Sequence, residues 1–359
     1  MSRRRTVYFL ASLGLLGIAT CIASCGGGGG SSHDDFAVRF LVSDGFVTAE
    51  QIDANLVNPW GLAANPTGDW WVANNHTSTS TPYDENGITQ SVVVNIPGSP
   101  TGIVYNGGPG FVVSAGMNSS PARFLFASED GTISAWSSSV PPPGPSSTAF
   151  VVVDESVMSA NYKGLAIANG RLYAADFHNA RVDVYDDQFQ HVVLPAGFPA
   201  PSGSAGYAPF GIQAIGAEIF VAWALVNPIT GDEVAGPGNG FVEVYDLDGN
   251  PVAEVAAHGA LDAPWGIAGA PTDFGDRGAA LLVGNFGDGR ILRYERTANT
   301  FTFTGALEDA SRQAIEIGGL WGIAFGAGPL SQTGPTNALF FAAGPGGEDH
   351  GSFGRIDPR

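Results

Sequence analysis

Lysine is almost missing from this sequence: Lys163 is the only one in 359 residues, and the arginines are scattered. Nucleic-acid backbones are held by clustered cations that release counterions. A chain with 15 basic against 34 acidic residues is therefore not built to bind one. Cysteine is nearly as scarce. Cys21 and Cys25 are the only two, which excludes a disulfide framework or a cysteine metal site in everything that follows them. After the first twenty residues no apolar run approaches membrane-spanning length.

Several catalytic and binding signatures are absent too. Without Gly-x-Ser-x-Gly there is no hydrolase nucleophile elbow. The glycine-rich stretches around Gly108 and Gly236 do not lie between a strand and a helix, which removes a dinucleotide site. No two histidines stand at the helical spacing of zinc ligands. Asp246-Leu247-Asp248-Gly249-Asn250 opens like a calcium loop, but Pro251 stands where glycine is required and Ala257 where the closing glutamate belongs. It reads as a hairpin turn.

What the chain has in quantity is glycine and proline, 51 and 24 residues. Both disfavour helix interiors, by about 1 and 3 kcal/mol relative to alanine. The 44% hydrophobic and 11% aromatic content excludes a disordered chain, which lacks such material to bury. Many short strands joined by turns are expected.

The first residues read as an address. Arg3, Arg4 and Arg5 precede an apolar run from Val7 to Ala19, the layout of a secretory signal. Ile22-Ala23-Ser24-Cys25 resembles a bacterial lipobox. Residues 1–24 are thus expected to be a lipoprotein signal peptide and Cys25 the lipidated residue. Residues 25–35, with Gly26 to Gly30 and Ser31-Ser32, form a flexible tether, and residues 36–359 a single domain. The protein is expected to be exported and held on the bacterial cell envelope by its lipid alone. Gly26 after the cysteine favours the outer membrane.

A short phrase recurs six times: Pro59-Trp60-Gly61, Pro100-Thr101-Gly102, Tyr162-Lys163-Gly164, Pro209-Phe210-Gly211, Pro264-Trp265-Gly266 and Leu320-Trp321-Gly322. Each is followed by a second apolar run, such as Trp70 to Ala73. A third run ends in an aromatic or aliphatic residue and usually an acid, as in Tyr185-Asp186 and Tyr245-Asp246. A fourth follows in most units: Ser91 to Ile96, Ala149 to Val153, His191 to Leu194 and Pro251 to Ala256. Four strands per unit of forty to sixty residues is the pattern of a β-propeller blade. The fold class is therefore all-β, a six-bladed propeller of four-stranded antiparallel blades. The sixth unit ends at its third strand, whereas residues 36–43 alternate like a strand without a unit. This N-terminal strand is expected to complete the last blade and close the ring, removing a free sheet edge. Thr48 to Leu56 is expected to form a short helix.

In such a meander the start of the first strand and the end of the second share one face near the axis. That face collects Asn58, Trp60, Asn74, Asn75, His76, Glu129, Asp130, Asp176, His178, Trp223, Trp265, Asn285, Asp288 and Trp321. Its carboxylates and amides suit a hard cation or a polar ligand stacked on indoles. Asn and Asp after strands also serve as turn residues, and Trp beside Gly also packs between blades. The insertion from Leu225 to Gly240 joins second and third strands on this face, as a lid or as a decorative loop.

Leu56-Val57-Asn58-Pro59-Trp60-Gly61-Leu62-Ala63 and Trp71-Val72-Ala73-Asn74-Asn75 resemble NHL-type propeller repeats. Together with residues 234–240, 282–289 and 319–326 they resemble an uncharacterised family of secreted bacterial propellers, which implies the fold but no activity. The calcium-dependent lactonases of the gluconolactonase and SMP-30 type are similar in architecture. That resemblance implies Asn74, Glu129, Asp176 and Asn285 as positional analogues of metal ligands, without a matching local motif. The leading expectation is a lipid-anchored, extracytoplasmic module that binds a polar small molecule or a protein through Asn58, Trp60, Asn75, His76, His178, Trp223, Trp265, Asp288 and Trp321. The alternative is a Ca²⁺-assisted lactonase-like hydrolase with Asp176 or Glu129 as base.

Overall fold

The computed structural model describes residues 35–359; the expected signal peptide, the lipidated Cys25 and the tether up to residue 34 lie outside them. The chain is a six-bladed β-propeller. Its inner strands are Pro59–Ala64, Pro100–Tyr105, Tyr162–Ala168, Tyr207–Ile215, Pro264–Ala270 and Leu320–Phe325. Each carries the recurring glycine at the place where neighbouring blades touch. A Cβ on Gly61 would lie 2.7 Å from the Thr101 carbonyl oxygen, on Gly266 2.6 Å from that of Trp321, and on Gly322 2.8 Å from that of Trp60. The last of these contacts closes the circle from blade six to blade one. Glycine is retained here because backbone occupies the space a side chain would need.

Second strands are sandwiched between blades, and Trp70–Asn74, Phe124–Ser128 and Leu339–Ala343 are buried throughout. Aromatic side chains fill the interfaces: between blades one and two Trp71 stacks on Phe124 at 4.6 Å and meets Trp136 at 4.5 Å. Burying each such side chain stabilises the fold by about 1.5–3 kcal/mol.

The ring closes as the strand count requires. Phe36–Ser43 pairs antiparallel with Ser352–Pro358, from Phe36 opposite Pro358 to Ser43 opposite Ser352, and supplies the fourth strand of blade six.

Three local expectations fail. Thr48 to Leu56 is not a helix; Gln51–Ile52 instead adds a short parallel strand beside Val42 and Ser43. Ser91 to Ile96 contributes only Val94–Asn95 as strand. His191 to Leu194 gives no fourth strand in blade three, whose sheet is Tyr162–Ala168, Arg171–Asp176 and Arg181–Asp186. After one bridge between Tyr185 and His191, Pro195, Pro199 and Pro201 withhold the donors a ladder needs. Phe198 then turns inward against Tyr173 and Tyr245. Blade two contains an addition the sequence did not announce, a hairpin of Val112–Ala115 with Asn118–Pro121, which accounts for its unusual length.

Candidate functional site

The residue before each inner glycine points to the axis, and the six together close one end of the central channel. They are Trp60, Thr101, Lys163, Phe210, Trp265 and Trp321, all buried. Trp60 stacks on Trp321 at 3.5 Å, and Trp265 and Phe210 meet both indoles edge-on at 5.8–6.2 Å. Phe177 and Phe286 pack on this group from the turns after the second strands of blades three and five.

Lys163 is the single charged member of that ring. It is 3% exposed, and its Nζ sits 4.9 Å from the Trp60 ring centre. Nζ donates to Glu129 Oε1 at 2.6 Å and lies 3.6 Å from Glu233 Oε2, an ion pair too long for a hydrogen bond. Glu129 comes from the turn after the second strand of blade two. Glu233 comes from the insertion in blade four. That insertion is pinned by a bridge between Val226 and Glu233 and by the Gly236 amide donating to Asp262 Oδ1 at 2.6 Å. It is a strap over the axis.

Amides and a third carboxylate extend the cluster. Asn75 Nδ2 donates to Glu129 Oε2 at 3.0 Å, and Asn58 Nδ2 to Glu348 Oε2 at 2.9 Å. His76 Nε2 lies 3.4 Å from the same Asn58 nitrogen, and Trp321 Nε1 donates to Asn58 Oδ1 at 3.1 Å. Asn58 adopts a left-handed backbone, φ 46°, which asparagine tolerates better than most residues. His76 is exposed and Glu129 and Glu348 are partly so, while Lys163, Glu233, Asn58 and Asn75 are sealed beneath.

Burial alone would raise both carboxyls and lower the ammonium. Glu129 nevertheless ends below the ordinary glutamate value, because the Lys163 charge and the bonds from Lys163 and Asn75 outweigh its burial. Glu233 ends above it: burial dominates, Lys163 offsets this only in part, and Glu348 and Glu129 add like charge. Burial is likewise outweighed at Lys163, which is raised by Glu233 and Glu129. Two carboxyls on one ammonium are thus driven apart in proton affinity, a pattern typical of functional clusters.

Several expected residues have other work. Asn74, Asp176 and Asn285 end second strands and stitch their own blades. Asn74 Nδ2 donates to Thr79 and Thr81, Asp176 Oδ1 accepts from the amides of Asn161 and Asn179, and Asn285 Oδ1 accepts from the Asp262 amide. Of the four residues considered as cation ligands only Glu129 joins the axial cluster. Among the described residues no group of three or more His, Cys, Asp or Glu side chains is arranged to hold a metal. Asp288 accepts from Asn285 and from the Arg290 amide, and Asp130 from Thr132, as turn residues do. Trp223 packs in the core between blades three and four, and His178 is exposed without joining the network. Trp60, Trp265 and Trp321 face the axis but are packed against one another, the first and last stacked and Trp265 edge-on to both, so they form a floor beneath the charges rather than faces open to a ligand. Asn58, Asn75, His76 and Glu129 do come together.

Lys163, Glu233 and Glu348 were missed. Lys163 carried a signal, a lone cation in a repeat slot that otherwise holds Trp, Phe or Thr. Beyond the glycines the channel continues as a cavity of about 200 Å³ lined by Leu62, Ile103, Leu165, Ile212, Ile267 and Ile323. None of those six side chains offers a polar group for chemistry.

No family model matches the chain. An uncharacterised protein of Acanthamoeba polyphaga mimivirus is 35% identical over 269 residues, 71% of this chain and 70% of that one. A second uncharacterised mimivirus protein is 31% identical over 302 residues, 80% and 73% of the two chains. Among solved structures, a catalytically inactive virginiamycin B lyase from Staphylococcus aureus with quinupristin superposes with a TM-score of 0.52 at 12% identity, covering 90% of this chain and 99% of its own. The soluble aldose sugar dehydrogenase of Escherichia coli gives 0.52 at 13%, covering 90% and 100%. At such identities the likeness is one of fold alone.

Proposed function

The chain belongs to the family of these two mimivirus proteins, and on that premise we propose that it is a ligand-binding propeller whose site is the charged axial face. The observation that carries this reading is the burial of the only lysine between Glu129 and Glu233, over an aromatic floor and beneath the exposed His76 and partly exposed Glu348. Burying an ammonium and a carboxylate, with a second carboxylate half-buried against them, costs more than a hydrophobic filling of the same space would. A scaffold built from Trp and Phe in the same slots has no need of them.

Three carboxylates against one ammonium leave the cluster rich in acceptors. The matching ligand is a small polar molecule that brings hydrogen-bond donors, hydroxyls or an amine, to Glu129 and Glu348. We further propose, from the arginine-led apolar segment and Ile22-Ala23-Ser24-Cys25, that the protein is exported and lipid-anchored in a bacterial envelope, as in the secreted propellers it resembles.

The test is calorimetric titration with a panel of polyols, primary amines and lactones, with and without Ca²⁺. Binding of a hydroxyl or amine ligand that weakens at least about tenfold in Glu129→Gln supports the reading. A ligand that binds Glu129→Gln and Glu348→Gln as tightly as the parent protein overturns it.

A further inference from the structure

Blade three differs from its five neighbours in lacking an outer strand. Its third strand, Arg181–Asp186, is therefore a sheet edge. The Asp186 amide donates to the Gln190 carbonyl, and the Val192 amide to the Val184 carbonyl at 2.7 Å. There the cover stops, because Pro195, Pro199 and Pro201 carry the chain away and Tyr245 Oη fastens the Pro199 carbonyl at 2.7 Å. By the two-residue alternation of a ladder, Val182 faces outward as Val184 and Asp186 do. Among the described residues its N–H and C=O meet no partner strand.

A cleft of about 430 Å³ lies along that edge, lined by Glu155, Met158, Arg181 to Val184, His191 to Leu194, Gly197 and Phe198. Val193 and Met158, 83% and 58% exposed, stand at its margin. The space falls where the other blades carry their fourth strand.

We propose that the uncovered start of this edge, at Val182, is a docking site for an extended segment of a partner protein, which takes up the fourth-strand position of blade three where Val192 leaves it. Strand addition to a free edge draws affinity from main-chain bonds and selectivity from alternate side chains. The alternation here is explicit. Val182 and Val184 lie with Phe198 and Leu194 on one side of the sheet, while Arg181 and Asp183 lie on the other. Arg181 is already held by Asp183 at 2.7 Å and by Asp176 at 3.7 Å. No cation among the described residues pairs with Glu155, and Asp154 beside it is also acidic. The segment that fits alternates apolar residues with polar ones that include lysine or arginine. Unlike the axial face, this surface needs no small ligand and is independent of that reading.

The probe is a fluorescein-labelled octapeptide alternating valine with lysine and threonine, set against a second peptide with glutamate in place of lysine. Amide hydrogen exchange on the full-length protein should show Val182 exchanging freely alone and protected with the basic peptide. Val182→Pro removes an N–H the fold does not use, as edge strands allow, and should weaken binding at least about tenfold. Should that variant unfold, Glu155→Lys replaces it and should shift preference to the acidic peptide. A Val182 amide already protected in the free protein overturns the proposal. So do affinities unchanged in these variants, or no saturable binding by about 1 mM peptide.

Discussion

The two ends of the central channel are built from the same six strands, one residue either side of the same glycines, yet they differ in kind. After the glycine stand Leu62, Ile103, Leu165, Ile212, Ile267 and Ile323, one aliphatic type repeated around the ring. Before it stand Trp60, Thr101, Lys163, Phe210, Trp265 and Trp321, four chemical types in six places. Uniformity is what a scaffold needs, because each blade must present the same volume to the next. Variety at equivalent positions departs from the repeat, and at this end it coincides with buried charge and with side chains contributed by five blades. The comparison assigns scaffold to one end and function to the other.

The largest effect is expected where that assignment is sharpest. Lys163→Met keeps the volume but leaves Glu129 and Glu233 facing each other without a counter-charge, which should cost about 3–5 kcal/mol in urea unfolding. Adding Glu233→Gln should recover more than about 1 kcal/mol, since residues of one buried network couple. A cost below about 1 kcal/mol for Lys163→Met would mean that the ammonium is not held as described. The same cluster sets a pH dependence. Glu129 has a folded-state value below its unfolded one, so its stabilising contribution is present above the unfolded value and is lost as pH falls through the folded one. Glu233 runs oppositely, its protonation favouring the folded state. Melting curves of Glu129→Gln should therefore lose part of the parent's acid destabilisation, and those of Glu233→Gln should show more of it.

The glycines between the two ends come next. Gly266→Ala places a Cβ 2.6 Å from the Trp321 carbonyl oxygen, whereas Gly269→Ala, three residues along the same strand, meets only the Ile215 side chain at 3.3 Å. The first should cost about 1–3 kcal/mol through a forced backbone shift and the second about 0.5 kcal/mol or less. Equal costs would show that the inner strands are not in contact at the glycine and would remove the frame on which both ends are compared.

How far the sequence showed this follows from the range of the interactions. Blade number and boundaries were readable because Pro-x-Gly phrases and apolar runs are local patterns repeated in register. The closing strand was readable by counting, since Phe36 to Ser43 had no unit and blade six lacked a strand. Blade three misled because His191 to Leu194 is apolar enough for a strand, and the prolines after it decide otherwise. The axial cluster was half legible. Asn58, Asn75, His76 and Glu129 follow from the rule that these turns share a face. Lys163 was hidden by being read as a repeat residue, and Glu233 and Glu348 because long loops place them by tertiary contact. Asn74, Asp176 and Asn285 resembled ligands for the reason they are useful in turns: their oxygens accept backbone amides.

The smallest effect probes the scaffold end. Ile267 is 4% exposed and lines both the channel and the core between blades four and five. Ile267→Val removes one methylene and should cost about 0.5–1.5 kcal/mol, toward the lower figure because one side of the residue already faces a hollow with no atoms to lose contact with. It should leave ligand titration and the acid limb of the melting curve untouched, since none of the six aliphatic side chains carries a polar group. A change in either would mean that the two ends communicate through the inner strands, and the division between scaffold and site would then have to be drawn along each strand rather than across the glycine ring.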